Sequence, residues 1–205
     1  YVVQDYARQH GFWMQRFMDP ALFPNDVIAD YFQSVAPPGY SALYWVMAKL
    51  GLDPLVVHKL LPMVLGLGTT AYCFAVSMRM LPVPAAGFLS AVLLNQHLWS
   101  MKTTLVSGAA RAFLYPIFLA FLYYLLRGSL GPCLVAIVLQ GLFYPQLVFI
   151  MAGILLLRLV DGTCWPPRLS RTRRDWLFCA TGLLVALAVL VPYALQGSPF
   201  GPVIT

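Results

Sequence analysis

Charged residues are scarce in this sequence of 205 residues: Asp, Glu, Lys and Arg together make up 10% of it, where a soluble domain carries about 25%. Hydrophobic residues make up 60%, and the mean hydropathy is +0.77. The few charges are grouped, and the stretches between them are apolar over about 20 residues, the length that a helix needs to cross a bilayer. The scarcity of charge therefore excludes an ordinary soluble domain and predicts an all-α, multi-pass transmembrane helical bundle.

Cysteine is also rare, and it lacks the spacing of a metal site or a disulfide framework. No CxxC pair occurs, which predicts small core residues at these positions. The sequence has no Walker loop, GxSxG, HExxH or dinucleotide fingerprint, so these nucleotide-binding and hydrolytic classes are excluded as well. The four cysteines are Cys73, Cys133, Cys164 and Cys179.

The net charge of +6 comes mostly from one arginine cluster near the last apolar stretch. A basic run can indicate nucleic-acid binding. In a membrane protein, a cytoplasmic loop that obeys the positive-inside rule is the better interpretation, and no nucleic-acid partner is predicted. The cluster consists of Arg158, Arg168, Arg171, Arg173 and Arg174.

The chain divides into a polar part and an apolar part. Residues 1–53 are predicted to form an outer loop with short interfacial helices, since residues 5–18 have an amphipathic pattern and residues 40–50 are apolar but too short to span. Residues 54–197 are predicted to be the transmembrane bundle, and residues 198–205 the start of another outer loop. Because the sequence starts at Tyr1 and stops in such a loop, it is expected to be a fragment. The predicted spans are 55–80, 84–99, 109–126, 131–144, 146–157 and 176–196.

The segment 131–157 has two interpretations. As one helix it would be about 40 Å long at 1.5 Å per residue, which exceeds a hydrocarbon core of about 30 Å unless the helix tilts. Pro145 in its middle kinks or breaks it. With residues 1–39 outside, a single helix would place the arginine cluster outside as well. The positive-inside rule therefore favours a hairpin that turns at Pro145.

Three acidic residues of the outer loop are candidates for chemistry. Asp5 lies where a carboxylate at the outer membrane surface could act as a general base or bind a metal, although a solvated loop aspartate is the simpler interpretation. Asp26 and Asp30 would share a helix face and could hold a divalent cation. The Asn25-Asp26 pair after Pro24 favours helix capping instead.

Basic residues recur where the spans meet the outer side. His58 and Lys59 open the first full span, and Lys102 and Arg111 belong to the next outer loop. Together they predict a basic rim that binds a lipid phosphate or pyrophosphate, with interface anchoring as the alternative. Arg111 follows Ser107-Gly108 at the mouth of a helix, whose dipole would favour an anion. The polar run 95–97 is expected near the same surface.

Four short motifs follow one another in a recognisable order: Asp5, then Pro37-Pro38-Gly39-Tyr40, then His58-Lys59-Leu60-Leu61-Pro62, and then the loop from Ser107 to Phe113. This order resembles the membrane half of the GT-C superfamily of polyprenyl-phosphate-dependent glycosyltransferases, such as protein mannosyltransferases and aminoarabinose transferases. There, an acidic motif follows the first span, a Pro-Pro motif opens a short apolar segment, and a basic residue begins the next span. The chain departs from that pattern in having Tyr6 at the second acid and Lys102 in an acid-free later loop.

The resemblance implies a bacterial inner-membrane enzyme that moves a sugar from a polyprenyl-phosphate donor at the outer face, sometimes with a divalent metal. Asp5 would be catalytic, and His58, Lys59, Arg111 and Lys102 would bind the phosphate of the lipid-linked substrate. Two alternatives stand beside it. A lipid or solute transporter would need ionisable residues near the membrane midplane, which the spans hardly contain. A non-catalytic membrane subunit is favoured by the two missing acids.

Overall fold

Eight α-helices account for most of the structure, a computed structural model that describes residues 11–101, 104–105, 107–161, 168–170 and 172–195. Two short 3₁₀ helices, Phe12–Phe17 and Ala110–Phe113, accompany them. The α-helices are α1 (Val27–Val35), α2 (Pro38–Lys49), α3 (Pro54–Met80), α4 (Pro84–Ser100), α5 (Leu114–Arg127), α6 (Leu130–Phe143), α7 (Gln146–Leu157) and α8 (Arg173–Leu195).

Three helical segments are long and apolar enough to cross a membrane: α3, α5 together with the preceding 3₁₀ turn, and α8. The chain is an integral membrane protein of helical architecture. The helices begin and end close to the bounds predicted for them because the sequence marks those points strongly. Asp53 accepts a hydrogen bond from the backbone amide of Leu55 and so caps α3 ahead of Pro54. Gly128 ends α5 in the left-handed conformation, with φ of 73°.

Helices α6 and α7 form an antiparallel hairpin, and two contacts with α8 show this. At the start of α6, the carbonyl of Gly128 accepts a hydrogen bond from Arg174. Near the end of α6, the carbonyl of Gly141 accepts one from Tyr193. The start of α6 is thus bonded to the start of α8, and the part near the end of α6 is bonded to the part near the end of α8. The two helices therefore run in the same direction.

Helix α7 runs the other way. Its end is tied to the start of α8 by an ion pair of 2.8 Å between Arg158 and Asp175. Its middle packs near Gly182, whose Cα faces Leu155 of α7 and Ile137 of α6. The chain therefore reverses at Tyr144-Pro145, and the predicted hairpin is confirmed.

The hairpin is short, at about 21 Å for α6 and about 18 Å for α7 at 1.5 Å per residue, so its tip needs a protein cover. Non-helical backbone at membrane depth is tolerated only where protein or water surrounds it. Residues 11–53, here called the outer layer, provide part of that cover. Helix α2 begins so close to the tip that a Cβ on Gly39 would lie 2.9 Å from the carbonyl oxygen of Leu142. The ring of Phe143 stacks on that of Phe113, with centroids 4.2 Å apart.

The bundle has two chemically different ends. Named after the orientation predicted from the sequence, the outer end comprises the outer layer, the start of α3, the Ala110–Phe113 turn and the hairpin tip. The inner end comprises the ends of α3, α5 and α7 and the start of α8. The inner end carries several arginines, including Arg79, Arg127, Arg158, Arg173 and Arg174.

One expectation needs correction. Asp26 caps α1 as predicted, accepting hydrogen bonds from the amides of Ile28 and Ala29 at 2.9 and 3.2 Å. Asp30 was expected to act in capping too, but it pairs with an arginine from an earlier turn, as described below. The predicted all-α class is confirmed, and a short antiparallel ladder, β1 (Val160–Asp161) with β2 (Arg168–Leu169), accompanies the helices at the inner end.

Candidate functional site

Arg16 organises the part of the outer layer that precedes α2. It donates to Asp30 at 2.6 Å and to the side-chain oxygen of Gln33 at 3.1 Å, both on α1. It also donates to the carbonyl oxygens of Leu22 and Phe23. Phe23 has a φ of 56°, a conformation that is unusual for an aromatic residue and needs such external support. A single guanidinium thus holds the 3₁₀ helix, the following turn and α1 together.

The outer layer is also tied to the membrane-spanning part. Gln15 donates to the carboxylate of Asp53 at 2.9 Å, and the same oxygen caps α3 by accepting from Leu55. Trp13 and Met14 are buried in one cluster with Tyr40 and Tyr44 of α2. The layer is therefore packed against the bundle and is positioned by it.

All acidic residues that the structure describes in the outer layer have structural partners. Asp19 accepts from the amide of Ala21, Asp26 caps α1, Asp30 pairs with Arg16, and Asp53 caps α3. Each of these carboxylates thus stabilises a turn, a helix N-terminus or an ion pair. Asp5, the acid to which the sequence assigns catalysis, lies outside the described residues.

His58 is buried, with 3% of its surface exposed, and does not line an open rim. Its ring lies against that of Tyr44, with centroids 4.8 Å apart, and its Nε2 is 3.4 Å from the hydroxyl of Tyr40. Its Nδ1 has no hydrogen-bond partner within the described part of the chain. Since successive helical residues point about 100° apart, the neighbouring Lys59 is directed elsewhere and is exposed.

The backbone at His58 also holds the loop that leads to Arg111. The amide of Gly108 donates to the carbonyl of His58 at 2.9 Å, and the carbonyl of Gly108 accepts from the Tyr44 hydroxyl at 2.7 Å. Burial raises the pKa of the Tyr44 phenol, so this hydroxyl remains a donor. A Cβ on Gly108 would lie 2.5 Å from the Tyr44 oxygen, so glycine alone fits this position. We call His58, Tyr40, Tyr44 and Gly108 the histidine cluster.

Arg111 stands three residues beyond this cluster and is exposed on the wall of a pocket of about 310 Å³. Within the described residues its guanidinium has no hydrogen bond or ion pair, in contrast to Arg16 and Arg158. The pocket lies where the outer layer, the Ala110–Phe113 turn, the hairpin tip and the end of α8 meet. Its other walls are mostly aromatic or apolar, and they include Trp13, Phe32, Pro37, Tyr40, Tyr144, Pro145, Gln146 and Tyr193.

The structure brings together only part of the predicted basic rim. Arg111 lines the pocket. His58 does not line the pocket, but it contacts Tyr40, which does. Lys59 follows His58 on α3 and is exposed. Lys102 lies outside the described residues. The role of these residues in binding phosphate stays a prediction.

The sequence analysis missed three residues of the pocket, Tyr144, Gln146 and Tyr193. They lie more than thirty positions from Arg111, and they reach it only because the hairpin reverses and α8 returns to the outer end. The feature of the sequence that marks these positions is that polar or aromatic residues occur there within apolar stretches. No group of three or more His, Cys, Asp or Glu side chains in the described ranges could hold a metal ion.

The polar run at 95–97 begins with a residue that is bonded to the middle of α3. Asn95 pairs with Thr70, donating to its hydroxyl at 2.9 Å. Thr70 is nine residues from Arg79 and eleven from Lys59 on α3, so it is about 14 to 17 Å from either charge. The pair is therefore near the membrane midplane and belongs to a separate groove between α3 and α4.

With this geometry in view, the chain was compared with family models, with curated proteins and with solved structures, and none of these comparisons finds a match.

Proposed function

We propose that this integral membrane protein binds a polyprenyl-phosphate-linked sugar at its outer end and transfers the sugar, as a glycosyltransferase of the GT-C type in the bacterial inner membrane. The observation that carries the proposal is that Arg111, which has no hydrogen-bond or ion-pair partner among the described residues, stands on the wall of the aromatic-lined pocket. An arginine is suited to a phosphate because its planar guanidinium offers paired donors.

The composition of the pocket supports an amphipathic ligand. One cation stands among aromatic and apolar side chains, and the pocket lies where the outer layer meets the spans. Aromatic faces such as those of Trp13 and Tyr40 are common partners of sugar and prenyl groups, since they are apolar and carry few donors. The volume of about 310 Å³ suits a head group, with the chain left in the bilayer.

Asp5 is assigned the chemical step, in which its carboxylate takes the proton of the acceptor hydroxyl while the sugar leaves the lipid phosphate. Support comes by exclusion among the described outer acids, because Asp19, Asp26, Asp30 and Asp53 are all held in caps, a turn or an ion pair. General-base assistance of this kind is worth about 10²- to 10⁴-fold in rate.

The same observation favours one rival, a non-catalytic membrane subunit that binds a lipid phosphate without reacting with it. Both candidates need Arg111, whereas only the enzyme needs Asp5. The two are therefore separable by paired variants.

The test measures binding of a polyprenyl phosphate to the purified protein in nanodiscs, together with sugar transfer from the lipid-linked donor. We expect Arg111→Ala to weaken binding by tenfold or more, because a charge-assisted hydrogen bond is lost. Lys49→Ala is the matched control, since Lys49 is an exposed cation of the outer layer at the far end of α2. Equal binding by Arg111→Ala and Lys49→Ala would exclude the site.

Asp5→Asn is then examined in both assays. The enzyme predicts normal lipid-phosphate binding and loss of transfer. The non-catalytic subunit predicts normal binding and no transfer by the unmodified protein either. Full transfer activity in Asp5→Asn would remove the assigned role of Asp5.

A further inference from the structure

His58 lies near the outer end of α3, in a space that the histidine cluster closes almost completely. The residue is 3% exposed, and its ring is tilted by 33° against that of Tyr44. Its Nε2 is 3.4 Å from the hydroxyl of Tyr40, while Nδ1 is buried and has no hydrogen-bond partner in the part of the chain that the structure describes. The ring therefore has one polar contact and one nitrogen that faces no partner.

The neutral form of this ring fits its surroundings better than the protonated form. A neutral imidazole has one N–H and one lone pair, so it can donate to the Tyr40 oxygen and leave only the lone pair of Nδ1 unsatisfied. A second proton makes Nδ1 a donor as well, and the described residues offer it no acceptor. A buried cation also needs a counter-charge. Protonation of His58 should therefore favour a state in which the ring reaches water.

No such counter-charge acts on the ring from the described elements that pack around it. Helix α2 presents Tyr40 and Tyr44, whose phenols are uncharged near neutral pH. Lys59 and Arg111 are cations, and both are exposed. The carboxylate of Asp53 already caps α3 and accepts from the 3₁₀ helix of the outer layer. The surroundings of the ring are therefore neutral or positively charged.

Pro62 explains why the backbone of His58 binds the segment that carries Arg111, residues 107–113, here called the Arg111 segment. The carbonyl of a helical residue normally accepts from the amide four positions later. For His58 that position is Pro62, which has no N–H. The amide of Gly108 takes its place and lies 2.9 Å from the carbonyl oxygen of His58. The proline in α3 thus creates the acceptor that holds this segment.

The ring of His58 and the binding of Gly108 are coupled through Tyr44. The Tyr44 hydroxyl donates to the carbonyl of Gly108 at 2.7 Å, and the Tyr44 ring lies against that of His58. The space beside Gly108 is closed, since a Cβ there would lie 2.5 Å from the Tyr44 oxygen and 3.1 Å from Leu61. A His58 ring that moves toward water must therefore displace Tyr44 or the backbone of Gly108.

We infer that the histidine cluster is a pH-sensitive contact that regulates the Arg111 segment. While His58 is neutral, Gly108 stays bound to α2 and α3. When His58 is protonated, Gly108 is released, and Arg111 leaves its position on the pocket wall. The consequence for a ligand of the pocket rests on the proposed function, whereas the release of Gly108 does not.

Hydrogen exchange of the Gly108 amide measures this release in the purified protein in nanodiscs, without a ligand. The protection factor corrects each exchange rate for the intrinsic effect of pH. An imidazole in water has a pKa of about 6.5, so a released ring takes up a proton below that pH, and each further unit favours release about tenfold. Between pH 7 and pH 5 we expect the protection factor of Gly108 to fall about twentyfold. An unchanged protection factor would overturn the proposal.

Variants that cannot titrate identify the responsible group. His58→Phe keeps an aromatic ring beside Tyr44, and its Gly108 protection factor should be the same at pH 7 and pH 5. His58→Gln serves the same comparison if the phenylalanine variant does not fold. His97→Phe is the matched control, because His97 is an exposed histidine of α4 and the fall should persist without it. A full fall in the His58 variants, or its loss in His97→Phe, would contradict the role of His58.

Binding of a polyprenyl phosphate separates this inference from the proposed function. If Arg111→Ala and Lys49→Ala bind it equally well, the proposed function fails, and the exchange of Gly108 still decides whether the contact is pH-sensitive. If Arg111→Ala binds it less tightly while the protection of Gly108 does not depend on pH, the phosphate site stands and the pH-sensitive contact is excluded.

Discussion

Arg158 and Arg174 of the inner end differ from Arg111 of the outer end in being bound within the protein. At the inner end, Arg158 pairs with Asp175, donates to the carbonyl of Leu125 at 3.0 Å, and lies 4.5 Å from the ring centroid of Phe178. Arg174 donates to the carbonyl of Gly128. These side chains satisfy helix ends and join α5, α7 and α8.

At the outer end, Arg16 stabilises the outer layer through similar contacts. Arg111 has no hydrogen-bond or ion-pair partner among the described residues. The comparison separates an arginine that already binds carbonyl oxygens and a carboxylate from one that faces an open pocket. Where a guanidinium already binds carbonyls and a carboxylate, its removal should lower stability. Where it faces an open pocket, its removal should affect binding alone.

The largest effect is expected for Arg158→Leu. The substitution leaves Asp175 without its ion-pair partner and the Leu125 carbonyl without its donor, which should lower the free energy of unfolding by about 3 kcal/mol. Thermal unfolding in detergent should show the loss as a fall of roughly 6 to 12 °C.

Arg111→Leu is the counterpart at the outer end. Its stability should remain within about 0.5 kcal/mol of the unmodified protein, as for other exposed positions. Similar losses for both variants would mean that Arg111 has a structural role, and the distinction between the two ends would fail.

A smaller loss is expected for Gly39→Ala, which tests how the outer layer covers the hairpin tip. The new Cβ would lie 2.7 Å from the Cβ and 2.9 Å from the carbonyl oxygen of Leu142, so α2 must move away from the tip. Overpacking of this kind should lower the free energy of unfolding by about 2 kcal/mol. Limited proteolysis of the outer layer should become faster in the same variant.

Gly153→Ala provides the matched control for that substitution. Gly153 is within α7, and no atom lies within 4 Å of the position that its Cβ would take. The substitution should leave stability unchanged or raise it by about 0.5 to 1 kcal/mol, since alanine favours the helix. A loss as large as that in Gly39→Ala would show that the contact with Leu142 is not the cause.

A loss smaller than that in Gly39→Ala is expected for Tyr44→Phe, which removes one buried hydrogen bond from the histidine cluster. The Gly108 carbonyl then lacks its donor, and the free energy of unfolding should fall by about 1 kcal/mol at neutral pH. Because burial raises the pKa of this phenol above its ordinary value of 10.0, the unfolded chain ionises first as the pH rises. The contribution of Tyr44 to the free energy of unfolding is therefore fully present below about pH 10 and is lost progressively as the pH rises further.

Equilibrium unfolding at pH 7 and pH 10.5 measures that dependence. The unmodified protein should lose more stability between the two values than Tyr44→Phe does. An identical loss in both would show that the Tyr44 hydroxyl does not contribute to the pH dependence.

The helices were predictable because each of their ends is determined by a few adjacent residues. Asp53-Pro54 begins α3, Gly128 ends α5, and Pro145 interrupts the segment 131–157. The hairpin followed from that proline together with the position of the arginine cluster, since only a reversal returns the chain to the end that carries the other arginines. Each of these inferences depended on a few adjacent residues or on the sum of charges.

The details of the site depended on contacts between distant residues, and these were not predictable. From its place in the sequence, Asp30 was expected to act in helix capping. Its side chain instead pairs with Arg16, which is fourteen positions earlier. His58 and Lys59 look like a basic pair, and the packing of Tyr40 and Tyr44 decides that only the lysine is exposed. The pairing of Asn95 with Thr70 likewise needs the register between α3 and α4.

The short hairpin also has a consequence for biogenesis. Helices of about 21 and 18 Å cannot carry their connecting turn across a bilayer unaided, so the turn is stable only after Gly39 and its neighbours lie over it. Synthesis proceeds from the N-terminus, and residues 11–53 therefore leave the ribosome before residues 130–157. The covering surface is therefore synthesised before the segment that needs it, so the order of the chain makes the cover available when the hairpin forms.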